Sequence, residues 1–309
     1  MVKYIIKRLM TLIPILLVVS ILVFGLSMFS SGDAARVLAE QIYEHPTQTE
    51  IEQVRHENGL DQPIYKQYVR WLGNALHGDF GESYSTQKPA MEEFISRLPV
   101  TLKLAATAFI ILIIVSIFLG MISAVWEHSW IDKIVQVFSF FSVSVPSFWI
   151  GLMLLYIFGV KLGVISVIEG TTAGIPVLAA FTLDMGYFGI LIRLIRANLS
   201  EVLKKDYIRA CKAKGISNLR IILKHGMKNA ILPVITQMST MCVGLLCGSA
   251  VIESIFSIKG IGEMALEAVY TKDLPLLQCF ILVLACFVVL MNLLIDIIYS
   301  VVDARIQLK

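Results

Sequence analysis

The chain has 309 residues, of which 57% are apolar and only 16% charged, and its mean hydropathy is +0.79. Soluble domains run roughly 45–50% apolar and 25% charged, so a soluble globular protein is excluded and an integral membrane protein is expected. The net charge of +3 is too small to name a partner; where the basic residues fall says more.

Met1 to Arg8 carries Lys3, Lys7 and Arg8, and Leu9 to Phe29 is then apolar. Those 21 residues cross about 30 Å of hydrocarbon at about 1.5 Å per residue. A cleavable signal has a shorter apolar core, so this reads as an uncleaved first span with its N-terminus inside. Residues 30–98 are polar and acidic and, because they follow a span that starts inside, lie outside. Thr47 and Glu50 predict a capping box for a helix ending at Asn58-Gly59. Asp61 and Pro63 open a second helix, with Ile64, Tyr65, Tyr68, Val69, Leu72 and Leu76 on one stripe. His45, His56 and His77 match no metal-ligand spacing and read as surface histidines. The second span is expected at Thr101–Trp126, entered through Pro99 as a first-turn proline. The third is Ile134–Val160, kinked at Pro146. A Gly-rich outer loop, Lys161 to Ile175, leads to the fourth, about Pro176 to Ile195. The fifth is Ala230–Ile252, followed by an outer segment 253–278. The sixth is Leu276–Val302, ending in an inside tail 303–309.

Between the fourth and fifth spans runs RLIRANLSEVLKKDYIRACKAKGISNLRIILKHGMKNAILP, 193–233, with ten basic residues against Glu201 and Asp206. Such a loop belongs on the cytoplasmic face. A helix over Ala197–Lys214, a left-handed C-cap at Gly215 and a second helix Asn218–Lys228 capped by Ser217 predict a helical hairpin. It either docks on something cytoplasmic or snorkels along lipid. Sixteen of the 26 Lys and Arg residues fall inside under a six-span topology with both ends cytoplasmic, as the positive-inside rule requires.

Within the spans, Gln237, Thr240, Met241, Gly244, Cys247 and Gly248 share one helical face of the fifth. Gly244 and Gly248 form GxxxG, which suits close helix approach, either to a second subunit along a transport path or within the chain. Asp184 in the fourth span faces the path, pairs with a partner helix or carries a proton; Asp296 in the sixth caps or pairs structurally. Arg193 and Arg196 can snorkel to the inner surface. Four of the five cysteines lie in spans and none forms CxxC, so no disulfide framework is expected. No GxxxxGK[ST], HExxH or GxSxG occurs, so this chain has neither a nucleotide site nor a catalytic constellation. Active transport would need an outside source of energy. A secondary transporter is the distant alternative, and it would usually show an internal repeat, which is not evident here.

The string YIRACKAKGISNLRIILKHGMKNAILPVI resembles the cytoplasmic EAA loop of ATP-binding-cassette importer permeases, in the form of the nickel/dipeptide/oligopeptide group. Arg209 replaces the usual Glu and Lys228 a common Pro; Leu232-Pro233 supplies that group's later Leu-Pro. GLDQPIYKQYVRWLGNALHGDFGES (59–83) resembles the external domain inserted after the first span and is closest in wording to nickel permeases. SVPSFW resembles the third-span signature. IESIFSIKGIG resembles IExxFxxPGLG with Lys259 for proline, and DLPLLQ matches DxPxxQ. Asn292, Asp296, Tyr299, Asp303 and Arg305 match the final-helix pattern with Ala304 for proline. The resemblance implies an all-α, six-span type I importer permease fold with an external helical subdomain at 30–98. The permease core would be 99–302, including a coupling loop 197–228. Arg209, Ala210, Cys211, Lys212, Gly215 and Ser217 would meet the ATPase. Partners would be a second permease subunit, two ATPase subunits that bind ATP and magnesium, and an external solute-binding protein, with no cofactor on this chain. The setting would be a prokaryotic inner membrane, and the cargo nickel, free or chelated, or alternatively a di- or oligopeptide.

Overall fold

The computed structural model describes residues 2–29, 34–43, 45–164 and 175–302. The outer loop at 165–174 and the tail 303–309, with Asp303 and Arg305, lie outside the described residues, as do the side chains of Asp296 and Tyr299. Among the described residues every regular element is helical, apart from one isolated bridge between Glu82 and Pro89. The chain divides into two compact units, Met1–Pro99 with Met264–Lys309, and Val100–Glu263.

In the first unit, α1 (Val2–Phe29) packs along α14 (Leu274–Val302). The external segment forms α2 (Ala34–Ile42), α3 (Gln48–Glu57) and α4 (Ile64–Leu76). Ala35, Ala39, Ile51 and Val54 make its small core. The predicted capping box is present: the Glu50 amide donates to Thr47 Oγ1 and the Thr47 amide to Glu50 Oε2. Gly59 takes the left-handed turn (φ 65°) beyond Asn58. A buried carboxylate closes this unit. Asp273 Oδ2 accepts from Ser83 Oγ (2.6 Å), Ser85 N (3.1 Å) and Ser85 Oγ (3.0 Å), while Oδ1 accepts from the Leu276 amide (3.3 Å) in the first turn of α14. Burial, and then the Asp273 carboxylate beside it, pushes the Tyr84 hydroxyl up to about 12. The DxPxxQ and GES motifs thus serve one knot, in which a carboxylate caps a helix and ties the external loop to it.

The second unit is built around α8 (Ile175–Leu203), which packs against α6 (Trp130–Ser144), α7 (Ser147–Leu155) and α11 (Met227–Cys247). Phe188, Leu191, Ile192 and Ile195 are fully buried on α8 and meet Leu112, Val234, Met241 and Leu245 in one core. Two glycines allow the close approach: a Cβ at Gly189 would overlap the Ser139 carbonyl of α6, and one at Gly120 would press on Ile195.

Among the described residues four helices are long and apolar enough to cross a membrane: α5 (Ala90–Val125), Pro176–Leu203, Asn218–Cys247 and Leu274–Leu294. The α6–α7 pair makes a fifth if counted as one crossing, and α1 contributes the shorter apolar stretch Ile13–Gly25. The six-span expectation therefore finds a helix for each crossing, the 28-residue α1 included, with the third broken in two. Pro146 does more than kink the third span. Val145 is extended (φ −96°, ψ 131°), as a residue before proline prefers, and the two halves meet at 103°. Nor is Pro99 a first-turn proline: α5 starts at Ala90, with Glu92 and Glu93 in its first turn, and runs through it.

Candidate docking elbow and the elements behind it

The basic loop folds as an elbow, with helix boundaries that differ from those expected. α8 continues to Leu203, eight residues past the predicted end of the fourth span, and the chain breaks at Lys204-Lys205. A short helix α9 (Asp206–Ala213) follows, so Ala197–Lys214 is two helices rather than one. Its end is a Schellman cap: Gly215 N donates to Lys212 O (3.0 Å) and Ile216 N to Cys211 O (3.3 Å), with Gly215 at φ 75°. Ser217 has the extended backbone of an N-cap but makes no side-chain cap bond. The helix it starts does not stop at Lys228. A turn at Asn218–Arg220 (α10) passes through a π-helical segment, Ile221–Gly226, straight into α11, so elbow and fifth span share one helix that ends at Cys247 rather than Ile252.

Two residues pin the elbow from inside, Ile208 on α9 and Ile221 on the π segment, both fully buried. Asn229 Nδ2 donates to Tyr207 Oη (2.9 Å), and Gly226 leaves room for Leu199 and Leu203 at the end of α8. With the inner side fixed, the outer side is presented. Arg209, Ala210, Lys212, Gly215 and Ser217 are exposed and Cys211 is half-buried. Among the described residues Lys212, Lys214, Arg220, Lys224 and Lys228 have no ion-pair partner; Arg209 pairs only with exposed Asp206 (3.3 Å), a contact worth little in water. Leu219 (68% exposed) and Leu223 (51%) stand among these cations. Sequence reasoning missed this pair, although leucines four apart in a basic turn signal an apolar ridge on one helical face. A rigid helical elbow with an apolar ridge and a basic rim suits insertion into a groove on a folded partner.

Directly behind the elbow, Arg196 does not snorkel. It forks onto Asp132, with Nε to Oδ1 at 2.7 Å and Nη2 to Oδ2 at 2.8 Å. Ser123 Oγ (2.6 Å), Gln136 Nε2 (3.0 Å) and the His128 amide (2.9 Å) complete the Asp132 shell. This knot around buried Asp132 joins α5, α6 and α8. Lys204 adds an ion pair with Glu127 (2.9 Å), and Arg193 lies 5.2 Å over the Phe140 ring.

The residues proposed for a path are split by the structure. On α11, Thr240 and Cys247 are exposed, Gln237 is half-buried and Met241 faces the core. Gly244 lies against the Tyr187 hydroxyl of α8, so this glycine serves packing within the chain, and Gly248 ends the helix. Asp184 is wholly buried in the α8 core, and neither oxygen has a hydrogen-bond partner among the described residues. Asp132 and Asp184 should therefore respond oppositely to truncation. Asp132→Ala strips half-buried Arg196 of its partner and leaves the donors around buried Asp132 unpaired, which should cost about 3 kcal/mol. Asp184→Ala removes an unsatisfied group that costs about 1–3 kcal/mol, so stability should hold or rise. Thermal unfolding of the purified variants checks both. The three external histidines are exposed, and among the described residues no three His, Cys, Asp or Glu side chains are grouped to hold a metal ion.

Comparison with known proteins agrees with this architecture. The chain is 36% identical to the glutathione transport system permease protein GsiC of Escherichia coli (strain K12) and to that of Shigella boydii serotype 4 (strain Sb227), over 309 residues covering all of each protein. A solved structure of the MetNI methionine ABC transporter in an inward-facing conformation matches with a TM-score of 0.58, at 17% identity, over 69% of this chain and 97% of that one. Residues 1–105 match the N-terminal component of binding-protein-dependent transport system membrane proteins. Residues 116–308 match the binding-protein-dependent transport system inner membrane component, and the chain belongs to that family as the non-catalytic, multi-pass permease subunit of an ATP-binding-cassette importer.

Proposed function

We propose that this permease imports a short peptide or peptide-like thiol of the glutathione class. The observation that carries this is end-to-end similarity, at 36% identity, to permeases named for glutathione transport. The nickel expectation rested on the wording of the external segment 59–83, a far shorter stretch, and yields to the peptide alternative. In this reading the chain pairs with a second permease subunit, and both its termini are cytoplasmic. ATP and magnesium reside on two ATPase subunits, each holding one elbow, with Arg209, Ala210, Cys211, Lys212, Gly215 and Ser217 at the contact. The Leu219–Leu223 ridge enters the ATPase groove, and closure of the ATPases swings α8 and α11. These two helices leave the elbow in opposite chain directions and pack along each other. The exposed stripe of α11 with Thr236, Thr240 and Cys247 borders the path, and Gln237 lies at its edge.

The cognate external binding protein should rise in melting temperature with glutathione or a di- or tripeptide. Loaded with that solute, it should stimulate ATP hydrolysis by the reconstituted transporter severalfold. Stimulation by nickel ions alone, with no response to peptides, would reverse the assignment of cargo.

A further inference from the structure

We propose that α4 of the external segment lies in the outer leaflet of the bilayer, with lipid covering its open apolar face. α4 has two apolar faces and the protein occupies one. Tyr68 and Trp71 pack on Phe24 of α1, with ring centroids 5.5 Å apart in each pair, and the hydroxyls of Tyr68 and Ser20 are 2.8 Å apart. The adjoining face carries Tyr65 (66% exposed), Val69 (64%) and Leu76 (80%), with Leu72 between them. At 100° per residue these four lie within a narrow stripe, and Lys66, Arg70 and Asn74 lie off it.

Depth identifies the occupant. The basic cluster Lys3, Lys7 and Arg8 sets the inner end of the apolar stretch, which spans the hydrocarbon by Phe29. At about 1.5 Å per residue, Phe24 sits about 7 Å and Ser20 about 13 Å below the outer boundary. A helix whose Tyr68 and Trp71 touch those two residues is at the level of acyl chains, not of bulk water. Aromatic residues with basic neighbours on a helix of this kind are the composition of an interfacial helix. An open stripe of Val, Leu and Tyr at that depth meets hydrocarbon without cost, whereas in water it would be an unusual exposed patch.

The test uses the assembled transporter in phosphatidylethanolamine–phosphatidylglycerol vesicles, with a benzophenone amino acid placed singly at Val69, Leu76 or Asn74. Irradiation should yield phospholipid adducts at 69 and 76 severalfold above those at 74. Adding Val69→Glu to the Leu76 probe should lower its adduct yield severalfold while solute uptake shows the transporter still assembled. Crosslinks from 69 and 76 to another protein subunit would overturn the proposal in favour of a protein interface. Equal, background-level lipid yields at all three sites would overturn it in favour of a water-exposed helix.

Discussion

Gly215→Asp is expected to lower uptake at least tenfold while leaving the permease inserted and folded. The local cost is small. Gly215 has φ 75°, and a Cβ built there meets nothing within 4 Å, so only the left-handed backbone is strained, by about 1–2 kcal/mol. The functional cost is large because the position lies at the tip of the elbow, beside the exposed Leu219–Leu223 ridge. In the proposed docking, an added carboxylate there would meet the ATPase groove and bring a negative charge into a basic patch. Gly215→Asn separates the two effects, since Asn tolerates the left-handed conformation. If the groove admits no side chain, Asn impairs uptake nearly as much as Asp; if conformation alone mattered, Asn would restore it. Uptake assays paired with co-purification of the ATPase decide. Normal uptake in the Asp variant would remove the docking role from this residue.

The second large effect is on stability. Glu253→Ala should destabilise the protein by about 3 kcal/mol or more. Glu253 is fully buried and sits in α12 (Ser249–Ile255). Its Oε1 accepts from Thr101 Oγ1 (2.7 Å), and its Oε2 from the amides of Gly262 (2.8 Å) and Glu263 (3.0 Å). Thr101 Oγ1 in turn accepts from the Ile261 amide (2.9 Å). The first three amides of α13 (Ile261–Thr271) are thus all satisfied by two side chains, and a negative charge lies at the positive end of the helix. The signature IESIFSIKGIG follows from this geometry. Glu253 is the cap, and Phe256 is buried in the core of the second unit. Gly260 has no room for a Cβ beside Thr101 and Glu253, and Gly262 none beside Ala250. Glu253→Gln should cost less than Ala, because its carbonyl oxygen can still accept from the Gly262 and Glu263 amides while its NH2 faces the Thr101 hydroxyl, though the charge at the helix N-terminus is lost. For a chain of this size the loss in the Ala variant corresponds to a fall of roughly 5–12 °C in melting temperature. A shift under about 2 °C in detergent would contradict the capping account.

What could be read in advance was local. The Thr47–Glu50 box, the turn at Gly59 and the left-handed cap at Gly215 are each settled within about six residues, and the structure contains all three. What could not be read was set by partners far along the chain. Glu253 is 152 positions from Thr101, and Asp273 is 190 from Ser83; no periodicity links them. Asp132 passed unnoticed in a short loop because its value depends on Arg196, 64 positions later. Pro146 predicted a disturbance but not its size, since a kink and a 103° break differ only in how the two halves pack. The elbow was visible as charge, but its helix boundaries were not. Lys204-Lys205 carries no glycine or proline to mark a break, and the π segment merges a predicted separate helix into the fifth span.

The most direct test of the central claim is backbone amide hydrogen exchange across residues 206–224, measured on the permease alone and on the permease bound to its ATPase subunit. Marked protection of the Asp206–Ser217 amides and of the Leu219–Leu223 ridge only in the complex is the predicted result. Identical exchange in the two states, with the ATPase bound, would contradict it.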